Sequence, residues 1–275
     1  MSLIDLSGKT ALVTGGSRGV GAATAVMLAE AGASVAITYR ERQSAAEEVL
    51  ARINSGYPSP LSPLPSPPGE EGGLSFRLSV CIQADVSQPS DCRRMVEQTV
   101  AALGSLDIFV ANAGIWPPEG VAVKDMDDSQ WDRTIGVNLN SVFYGCRAAL
   151  RVMQPGGRIV IVSSTAGQRG EAYHADYAAT KGAIISFVKS LAGEAAKDHI
   201  TVNAVAPGWI DTEMCDVPFG SEKGGGRRKI EATIPLGRVA TPDEIAGPIV
   251  FLCSQLASHV TGETLNVNGG SVLCG

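Results

Sequence analysis

The residues Thr10-Ala-Leu-Val-Thr-Gly-Gly-Ser-Arg-Gly-Val-Gly21 decide how the chain is expected to fold. Thr10 to Val13 is a short apolar run typical of a buried strand, and Ala22 to Ala31 has the periodicity of a helix. The glycines between them allow a sharp turn and the close approach of a pyrophosphate to free N–H groups at the helix N-terminus. This stretch therefore predicts a dinucleotide site. Its expected contact residues are Gly15, Ser17, Arg18, Gly19, Val20 and Gly21.

Strand and helix patterns alternate along the rest of the chain. Further strands are predicted at Ser34–Tyr39, Leu78–Ala84, Leu106–Ala111 and Arg158–Ser163. Further helices are predicted at Ser44–Ile53, Pro89–Leu103, Trp131–Val152 and Ala175–Ala196. Such alternation predicts an α/β fold, a Rossmann-type doubly wound parallel sheet with helices on both faces. With 275 residues, of which 44% are apolar, we expect one domain spanning 1–275.

Ligands of such a sheet bind at the carboxyl ends of its strands. Asp85 and Val86 follow one predicted strand, where they can meet an adenine edge. After the next strand, two small residues let a cofactor approach closely, and the amide of Asn112 can hold the turn. The expected cofactor contacts at this edge are Asp85, Val86, Asn112, Ala113 and Gly114.

The end of the second predicted strand indicates which dinucleotide is bound. An NAD-preferring site places an acid there, whereas this chain has Tyr39 followed by Arg40, with Arg18 in the glycine loop as a second cation. Guanidinium groups suit a 2′-phosphate, so NADP(H) is the predicted cofactor, with Tyr39 and Arg40 as contacts. Glu41 weakens this argument, and solvated charges at a helix entry are the alternative interpretation of Arg40 and Arg42.

The overall charge and the cysteine pattern exclude several functions. A net charge of −6 argues against nucleic acid or an anionic membrane as the main partner. The six cysteines include no Cys-x-x-Cys and the three histidines are scattered, so we expect no metal site and a reducing, cytoplasmic location.

A proline-rich insert occupies residues 54–73 and contains six of the fifteen prolines. Proline lacks the N–H group and fixes φ, which excludes a helix or a central strand here. We expect a surface loop, with a docking site for a proline-binding partner as the alternative.

Tyr177-Ala-Ala-Thr-Lys181 places a phenol and an ammonium four residues apart in a helical segment, on one face. A fixed cation favours the phenolate, so the lysine is expected to lower the tyrosine pKa toward a catalytically useful range. Alone, this pair arises often by chance on amphipathic helices.

Several motifs in the right order resemble the single-domain branch of the short-chain dehydrogenase/reductase family, from about residue 6 to the C-terminus. The matching motifs are the loop Thr14–Gly21, Asn112-Ala-Gly114, Asn138, Ser164, Tyr177-x-x-x-Lys181 and Pro207-Gly208. Ser164 is chosen over Ser163 because it precedes Tyr177 by thirteen residues, as is usual in the family. The resemblance implies about seven strands in the order 3-2-1-4-5-6-7.

The resemblance also implies the roles of individual residues. Tyr177 would exchange a proton with a carbonyl oxygen, Ser164 would hydrogen-bond that oxygen, and Lys181 would also hold the nicotinamide ribose. Asn138 would anchor a water in the proton relay. The remaining cofactor contacts implied are Tyr177, Lys181, Pro207, Gly208, Ile210 and Thr212.

The family commonly forms homotetramers, through the helices 131–152 and 175–196 and through the C-terminal tail. A homotetramer is therefore expected for this chain.

Substrate residues are expected in three loops, 115–125, 166–173 and 209–230. The candidates are Trp116, Tyr173, Trp209 and Met214. The chain looks most like 3-oxoacyl-(acyl-carrier-protein) reductases, although Pro155 and Gly193 stand where arginines that grip an acidic carrier protein are expected. These two residues put the docking of an acyl-carrier protein in doubt.

Other functions remain open. Reductases of sugars, steroids and other ketones share the same motifs. A non-catalytic NADP-sensing regulator would usually lack part of the Asn, Ser, Tyr and Lys set, and a sugar-nucleotide epimerase or dehydratase would need a larger C-terminal region than the residues after Pro207 supply.

Overall fold

The computed structural model describes residues 3–55, 79–220 and 225–273. Most of the proline-rich insert 54–73 lies outside the described residues, as do Leu78, Cys274 and Gly275.

Seven parallel strands form one sheet in the order β3-β2-β1-β4-β5-β6-β7, which confirms the expected topology. The strands are β1 Thr10–Val13, β2 Ser34–Tyr39, β3 Ser79–Gln83, β4 Ile108–Ala111, β5 Arg158–Val162, β6 Thr201–Pro207 and β7 Thr264–Val267. The chain reverses direction across the sheet between β1 and β4, so the carboxyl ends of these two strands open the crevice in which a doubly wound sheet binds its ligand.

Helices connect the strands. They are α1 Gly19–Glu30, α2 Gln43–Ser55, α3 Pro89–Leu103, α4 Asp128–Ile135, α5 Ser141–Leu150, α6 Ala166–Arg169, α7 Ala175–Ala195, α8 Asp216–Phe219, α9 Gly225–Glu231 and α10 Pro242–Cys253. Short 3₁₀ turns lie at Val123–Asp125, Ala196–Asp198, Glu213–Cys215 and Gln255–Ala257. Within the described ranges no helix is long and apolar enough to cross a membrane.

Alternate strand residues supply two apolar cores, one on each face of the sheet. Leu12 and Phe109 pack with α3, α5 and α7 on one face. Val13 and Val110 pack with α1, α2 and α10 on the other. Because successive side chains of a strand point to opposite faces, each short buried strand serves both layers.

The long helix predicted over Trp131–Val152 is wrong in one respect. The structure begins the helix at Asp128 and divides it into α4 and α5 by a π-helical turn at Gly136–Asn140. A π turn adds a residue to one helical turn and often lies at a functional site. Apolar periodicity over 131–152 does not reveal it, because the contact that it serves is tertiary. The turn carries Asn138.

The contact between α6 and α7 leaves no space for a side chain. A Cβ atom added to Gly167 would lie 2.4 Å from the carbonyl carbon of Lys181 and 2.5 Å from its oxygen. The hydroxyl of Ser163 donates to the same oxygen at 2.8 Å. The backbone of Lys181 is therefore held between the end of β5 and α6.

Gly167→Ala should displace the backbone at Lys181, because real Cβ atoms do not approach a carbonyl group this closely. We expect a loss of about 1–3 kcal/mol in the free energy of unfolding and a fall in turnover of about tenfold or more. Gly193→Ala is the matched control, since Gly193 is on the exposed side of α7 with nothing within 4 Å. It should be neutral or stabilise by up to about 1 kcal/mol. Urea unfolding and steady-state rates would check both variants. Equal behaviour of the two would show that the close contact of Gly167 with the Lys181 backbone does not limit stability or turnover.

Candidate active site

The glycine loop between β1 and α1 is closed by two threonine hydroxyls. The N–H of Gly15 donates to Thr38 Oγ1 at 3.1 Å, which links the loop to β2. Thr14 Oγ1 accepts the N–H groups of Asn112 and Ala113 at 3.0 and 3.1 Å, which links it to β4. The loop that would receive a pyrophosphate is thus joined to both strands that neighbour β1 in the sheet.

Glycine is required in this loop for steric reasons. Gly19 has φ +54°, and a Cβ atom on Gly21 would lie 2.3 Å from the carbonyl oxygen of Gly15. The amide of Asn112 donates to Thr14 O at 2.9 Å and holds the β4 end against the loop, as predicted for its side chain. The loop, with Ser17 and Val20, therefore has the cradle geometry of a phosphate site at a helix N-terminus.

The side of the crevice where the sequence predicts an adenosine contact is formed by the ends of β2 and β3. Tyr39 is buried at the end of β2, and Val86 is buried after β3. Asp85 Oδ1 accepts the N–H and the hydroxyl of Ser87 at 3.0 and 2.7 Å. These contacts fix Asp85 and leave its second oxygen for a ligand.

The side chain of Asn138 is buried and joins the π turn to the loop after β4. Its amide group donates to Ile115 O at 2.8 Å and its oxygen accepts Ile115 N–H at 2.8 Å. A third contact reaches Thr180 Oγ1 at 3.4 Å. A Cβ atom on Gly114 would lie 3.2 Å from Asn138 Oδ1 and 3.7 Å from Lys181 Nζ, so Gly114 keeps this corner open.

Ser164, Tyr177 and Lys181 meet at the carboxyl end of β5. The side-chain hydroxyls of Ser164 and Tyr177 are hydrogen-bonded, and Ala166 N–H donates to Ser164 Oγ at 3.1 Å. Lys181 Nζ donates to Val162 O at 2.8 Å and lies 5.6 Å from the centre of the Tyr177 ring. Ser163 instead turns away to Lys181 O. Of the two serines, Ser164 is therefore the one that contacts Tyr177.

Burial dominates the acid–base behaviour of this group. It raises the pKa of Tyr177 to about 12, although the hydrogen bond from Ser164 acts in the opposite direction, and the nearby charge of Glu171 raises it further. Burial also lowers the pKa of Lys181 to about 8. The expectation that Lys181 lowers the pKa of Tyr177 is therefore not met in this structure. Burial disfavours both the phenolate and the ammonium, and this effect is larger than the attraction between the two charges.

The chain after β6 returns along the crevice. Pro207 O accepts Thr165 N–H at 3.0 Å, and Gly208 N–H donates to Val267 O at 3.1 Å. Ile210 forms an isolated parallel bridge with Ala240. These contacts direct Ile210 and Thr212 toward the glycine loop, where a Cβ atom on Gly19 would lie 3.4 Å from Thr212 Cγ2.

The arginines at the adenosine end are already paired with carboxylates. Arg40 is bonded to its neighbour Glu41, with Nε 2.9 Å from Oε1. Arg18 Nη1 and Arg42 Nη1 lie 2.5 and 2.8 Å from the same oxygen of Glu213. Arg42 and Glu213 were not among the predicted contacts.

Two of the four predicted substrate residues come together. The rings of Trp116 and Trp209 lie edge to face at 6.2 Å, and Trp209 lies 6.1 Å from the ring of Phe219. Tyr173 is 63% exposed and has φ +68°, and Met214 is 42% exposed. The structure therefore brings Trp116 and Trp209 together and leaves the side chains of Tyr173 and Met214 exposed.

A glutamate and a histidine contact the ring of Trp116. Trp116 donates to the carboxylate of Glu171 and stacks on His174 at 4.5 Å, and His174 Nδ1 lies 3.9 Å from Glu171 Oε1. Burial raises the pKa of Glu171. The carboxylate of Glu171 therefore lies between Tyr177 and the aromatic ring of Trp116, a polar feature that the sequence did not predict.

Two known protein families match this chain. The family described as "Enoyl-(Acyl carrier protein) reductase" matches residues 71–271, and the family described as "short chain dehydrogenase" matches residues 9–59. The chain belongs to the short-chain dehydrogenase/reductase family. This confirms the resemblance inferred from the motifs and makes the protein a member of a family of oxidoreductases.

Two curated relatives show how varied the similar members of this family are. The chain is 37% identical to the 3-oxoacyl-(acyl-carrier-protein) reductase FabG of Staphylococcus aureus, over 95% of this chain and 97% of that protein. It is also 37% identical to the versicolorin reductase stcU of Emericella nidulans, over 97% of this chain and 96% of that protein.

A solved short-chain dehydrogenase from Burkholderia cenocepacia, in complex with NADP, is 34% identical with a TM-score of 0.84, covering 97% of this chain and 98% of that one.

The low pKa of Lys181 predicts a pH-dependent stability. The folded protein binds this proton less tightly than the unfolded chain, whose lysine pKa is 10.5, so the free energy of unfolding should rise with pH between about 8 and 10.5. Wild type should gain about 2 kcal/mol relative to Lys181→Met between pH 7 and pH 9.5. Urea unfolding at both pH values measures this gain. Lys189→Met, on the exposed face of α7, controls for the loss of a positive charge. A difference between wild type and Lys181→Met that is independent of pH would contradict the result.

Proposed function

We propose that this member of the family is an NADP(H)-dependent enzyme that transfers hydride between the nicotinamide and a carbonyl or secondary alcohol. The observation that carries the proposal is the hydrogen-bonded pair Ser164 and Tyr177, next to the buried ammonium of Lys181. Two hydroxyls that converge beside a glycine-lined crevice suit the polarisation of one carbonyl oxygen.

The crevice fits a dinucleotide. The glycine loop would receive the pyrophosphate, Asn112-Ala-Gly114 would let the cofactor approach along the β4 end, and Lys181 would hold the nicotinamide ribose. The close contacts around the glycines of the loop and the Asn112 amide bond to Thr14 O support this proposal. Pro207, Gly208, Ile210 and Thr212 would cover the nicotinamide and phosphates. When bound, the cofactor supplies or accepts the hydride at the carbonyl carbon.

Tyr177 would donate the proton in the reductive direction. Its raised pKa keeps the phenol protonated at neutral pH, as a proton donor requires. In the structure Ser164 Oγ accepts from Ala166 N–H and its hydroxyl is hydrogen-bonded to Tyr177. With a substrate bound, the Ser164 proton would turn to the same carbonyl oxygen and stabilise the charge that develops there. In the oxidative direction Tyr177 takes the proton back.

Asn138 would act beside this pair by holding the active-site backbone and a relay water. Its two contacts to Ile115 fix the start of the loop that carries Trp116. Its buried side chain is bonded to Ile115 and Thr180, which fits a supporting role through the π turn rather than contact with the carbonyl.

Preference for NADP(H) is supported by the cations near the end of β2. Arg18, Arg40 and Arg42 all lie at this end of the crevice, and no acid stands at the strand end itself, which is Tyr39. Guanidinium groups bind a 2′-phosphate through charge-assisted hydrogen bonds. The NADP complex of the Burkholderia cenocepacia relative shows that a similar chain accepts this cofactor.

A 3-oxoacyl thioester is the first substrate candidate, because the reductase of Staphylococcus aureus acts in that class by name. A hydroxylated ring ketone is the second. It is favoured by the indole faces of Trp116 and Trp209 and by the carboxylate of Glu171, which can accept a hydrogen bond from a substrate hydroxyl. The versicolorin reductase of Emericella nidulans is similar to the same degree.

We also propose a homotetramer. Phe143 and Ala179 are exposed on α5 and α7, where a partner helix could pack, and the cation–π contact of Arg147 with Phe143 at 4.7 Å lies on the same surface. Val142, Ala149 and Leu191, which lie on the same two helices, are buried within the protomer and cannot contribute to such a contact.

Tyr177→Phe tests the proposed chemistry. Removal of the phenolic hydroxyl group, which carries the transferred proton, should lower kcat by roughly 10²–10⁴-fold. The Kd for NADPH should stay nearly unchanged, because the phenyl ring still fills the space of the tyrosine ring. Tyr144→Phe, on α5, is the matched control and should retain full activity. The assay is NADPH absorbance with a panel of 3-oxoacyl thioesters, hydroxylated ring ketones, sugars, steroids and simple ketones. Undiminished turnover by Tyr177→Phe would refute the assignment, and the best substrate of the panel decides between the two candidates.

A further inference from the structure

Glu213 connects three segments that are far apart in the sequence. It opens the 3₁₀ turn Glu213–Cys215 after β6, whereas Arg18 belongs to the glycine loop and Arg42 precedes α2. One oxygen of its carboxylate lies 2.5 Å from Arg18 Nη1 and 2.8 Å from Arg42 Nη1. Both arginines lower the pKa of Glu213, so the group is ionised at neutral pH.

The position of this carboxylate coincides with the place proposed for a phosphate. Arg18 is one of the two cations expected to bind a 2′-phosphate, and Arg42 is two residues beyond the other, Arg40. A carboxylate and a phosphate present similar oxygens to guanidinium groups. The carboxylate of Glu213 therefore already occupies the guanidinium donors of Arg18 and Arg42 that would bind the 2′-phosphate of NADP(H).

We infer that Glu213 is a specificity-determining residue that competes with the 2′-phosphate of NADP(H) for Arg18 and Arg42. The inference rests on the NADP(H) preference proposed above and identifies a residue that limits it. NADH, which lacks this phosphate, does not need the two arginines and should bind whether or not Glu213 holds them.

The ion pairs of Glu213 with Arg18 and Arg42 are weak enough for a 2′-phosphate to replace them. The side chains of Glu213, Arg18 and Arg42 are each about half exposed, at 51, 51 and 53%. Exposed ion pairs are weak and are screened by salt. A 2′-phosphate carries more charge and more acceptor oxygens than a carboxylate, so it can displace Glu213 at a moderate cost in affinity.

Direct binding of the adenosine fragment isolates this contact from catalysis. Isothermal titration of the whole protein with adenosine 2′,5′-bisphosphate and with adenosine 5′-monophosphate compares ligands that differ only by the 2′-phosphate. NADPH and NADH are titrated in parallel. The variants are Glu213→Gln and Glu213→Ala, with Glu231→Gln as control. Glu231 also pairs with an arginine, Arg227, at 3.0 Å, and Arg227 keeps Asp211 as its partner when this contact is lost. Each variant removes one negative charge.

If the inference is correct, Glu213→Gln should bind the bisphosphate and NADPH roughly 3- to 30-fold more tightly than wild type. This range corresponds to the free energy of the two exposed ion pairs that no longer compete with the phosphate. Adenosine 5′-monophosphate and NADH should change by less than about twofold, Glu231→Gln should resemble wild type, and the gain should shrink at high salt. Glu213→Ala should repeat the result.

Unchanged or weaker binding of the bisphosphate by both Glu213 variants would overturn the inference. Weaker binding of NADPH and NADH alike would also overturn it, because Glu213 would then close over the whole dinucleotide. If neither wild type nor the variants bind the bisphosphate more tightly than the monophosphate, the proposed preference for NADP(H) is also wrong. In that case, turnover with NADH that depends on Tyr177 would still support the proposed hydride transfer.

Discussion

Burial of the Lys181 ammonium is the constraint on which the rest of the site depends. Lys181 is 4% exposed, and its Nζ donates to Val162 O at the end of β5. Removing such a group from water costs several kcal/mol unless its surroundings compensate. The surroundings are correspondingly rigid: α6 packs directly on the Lys181 backbone through Gly167, and Gly114 leaves no side chain between the ammonium and Asn138.

The same burial sets the chemistry of Tyr177. Two opposite charges in water would favour the phenolate, but here each charged form is disfavoured by desolvation, and the phenol remains an acid. The hydrogen bond with Ser164 lowers the pKa of Tyr177, whereas the charge of Glu171 raises it further. The pair is thus suited to deliver a proton to an oxygen that becomes negative, which is the requirement of carbonyl reduction.

Local sequence patterns predicted most of the fold because strand and helix periodicity survive in a parallel sheet covered on both faces. The strands Thr10–Val13 and Ser34–Tyr39 and the helix Pro89–Leu103 have the predicted bounds. The strand predicted from Leu106 begins at Ile108, and the first helix begins at Gly19 rather than Ala22, since the glycines of the loop already belong to it.

The features that the sequence did not reveal all depend on distant contacts. The π turn at Asn138 serves hydrogen bonds to Ile115, and Glu213 meets Arg18 across 195 residues. Thr38 closes the glycine loop from another strand. The direction of the Tyr177 pKa was predicted from its lysine neighbour alone, and depth of burial has no signal in a Tyr-x-x-x-Lys spacing.

The central claim is that burial, not the lysine, governs the ionisation of Tyr177 in the free protein. Tyrosinate absorbance near 295 nm measures this directly, as the difference between wild type and Tyr177→Phe during a titration from pH 6 to pH 10.5 without cofactor. The account predicts no tyrosinate signal from Tyr177 over this range, because the pKa of Tyr177 is raised to about 12. A difference signal of one tyrosinate per chain with a midpoint below pH 9 would contradict it.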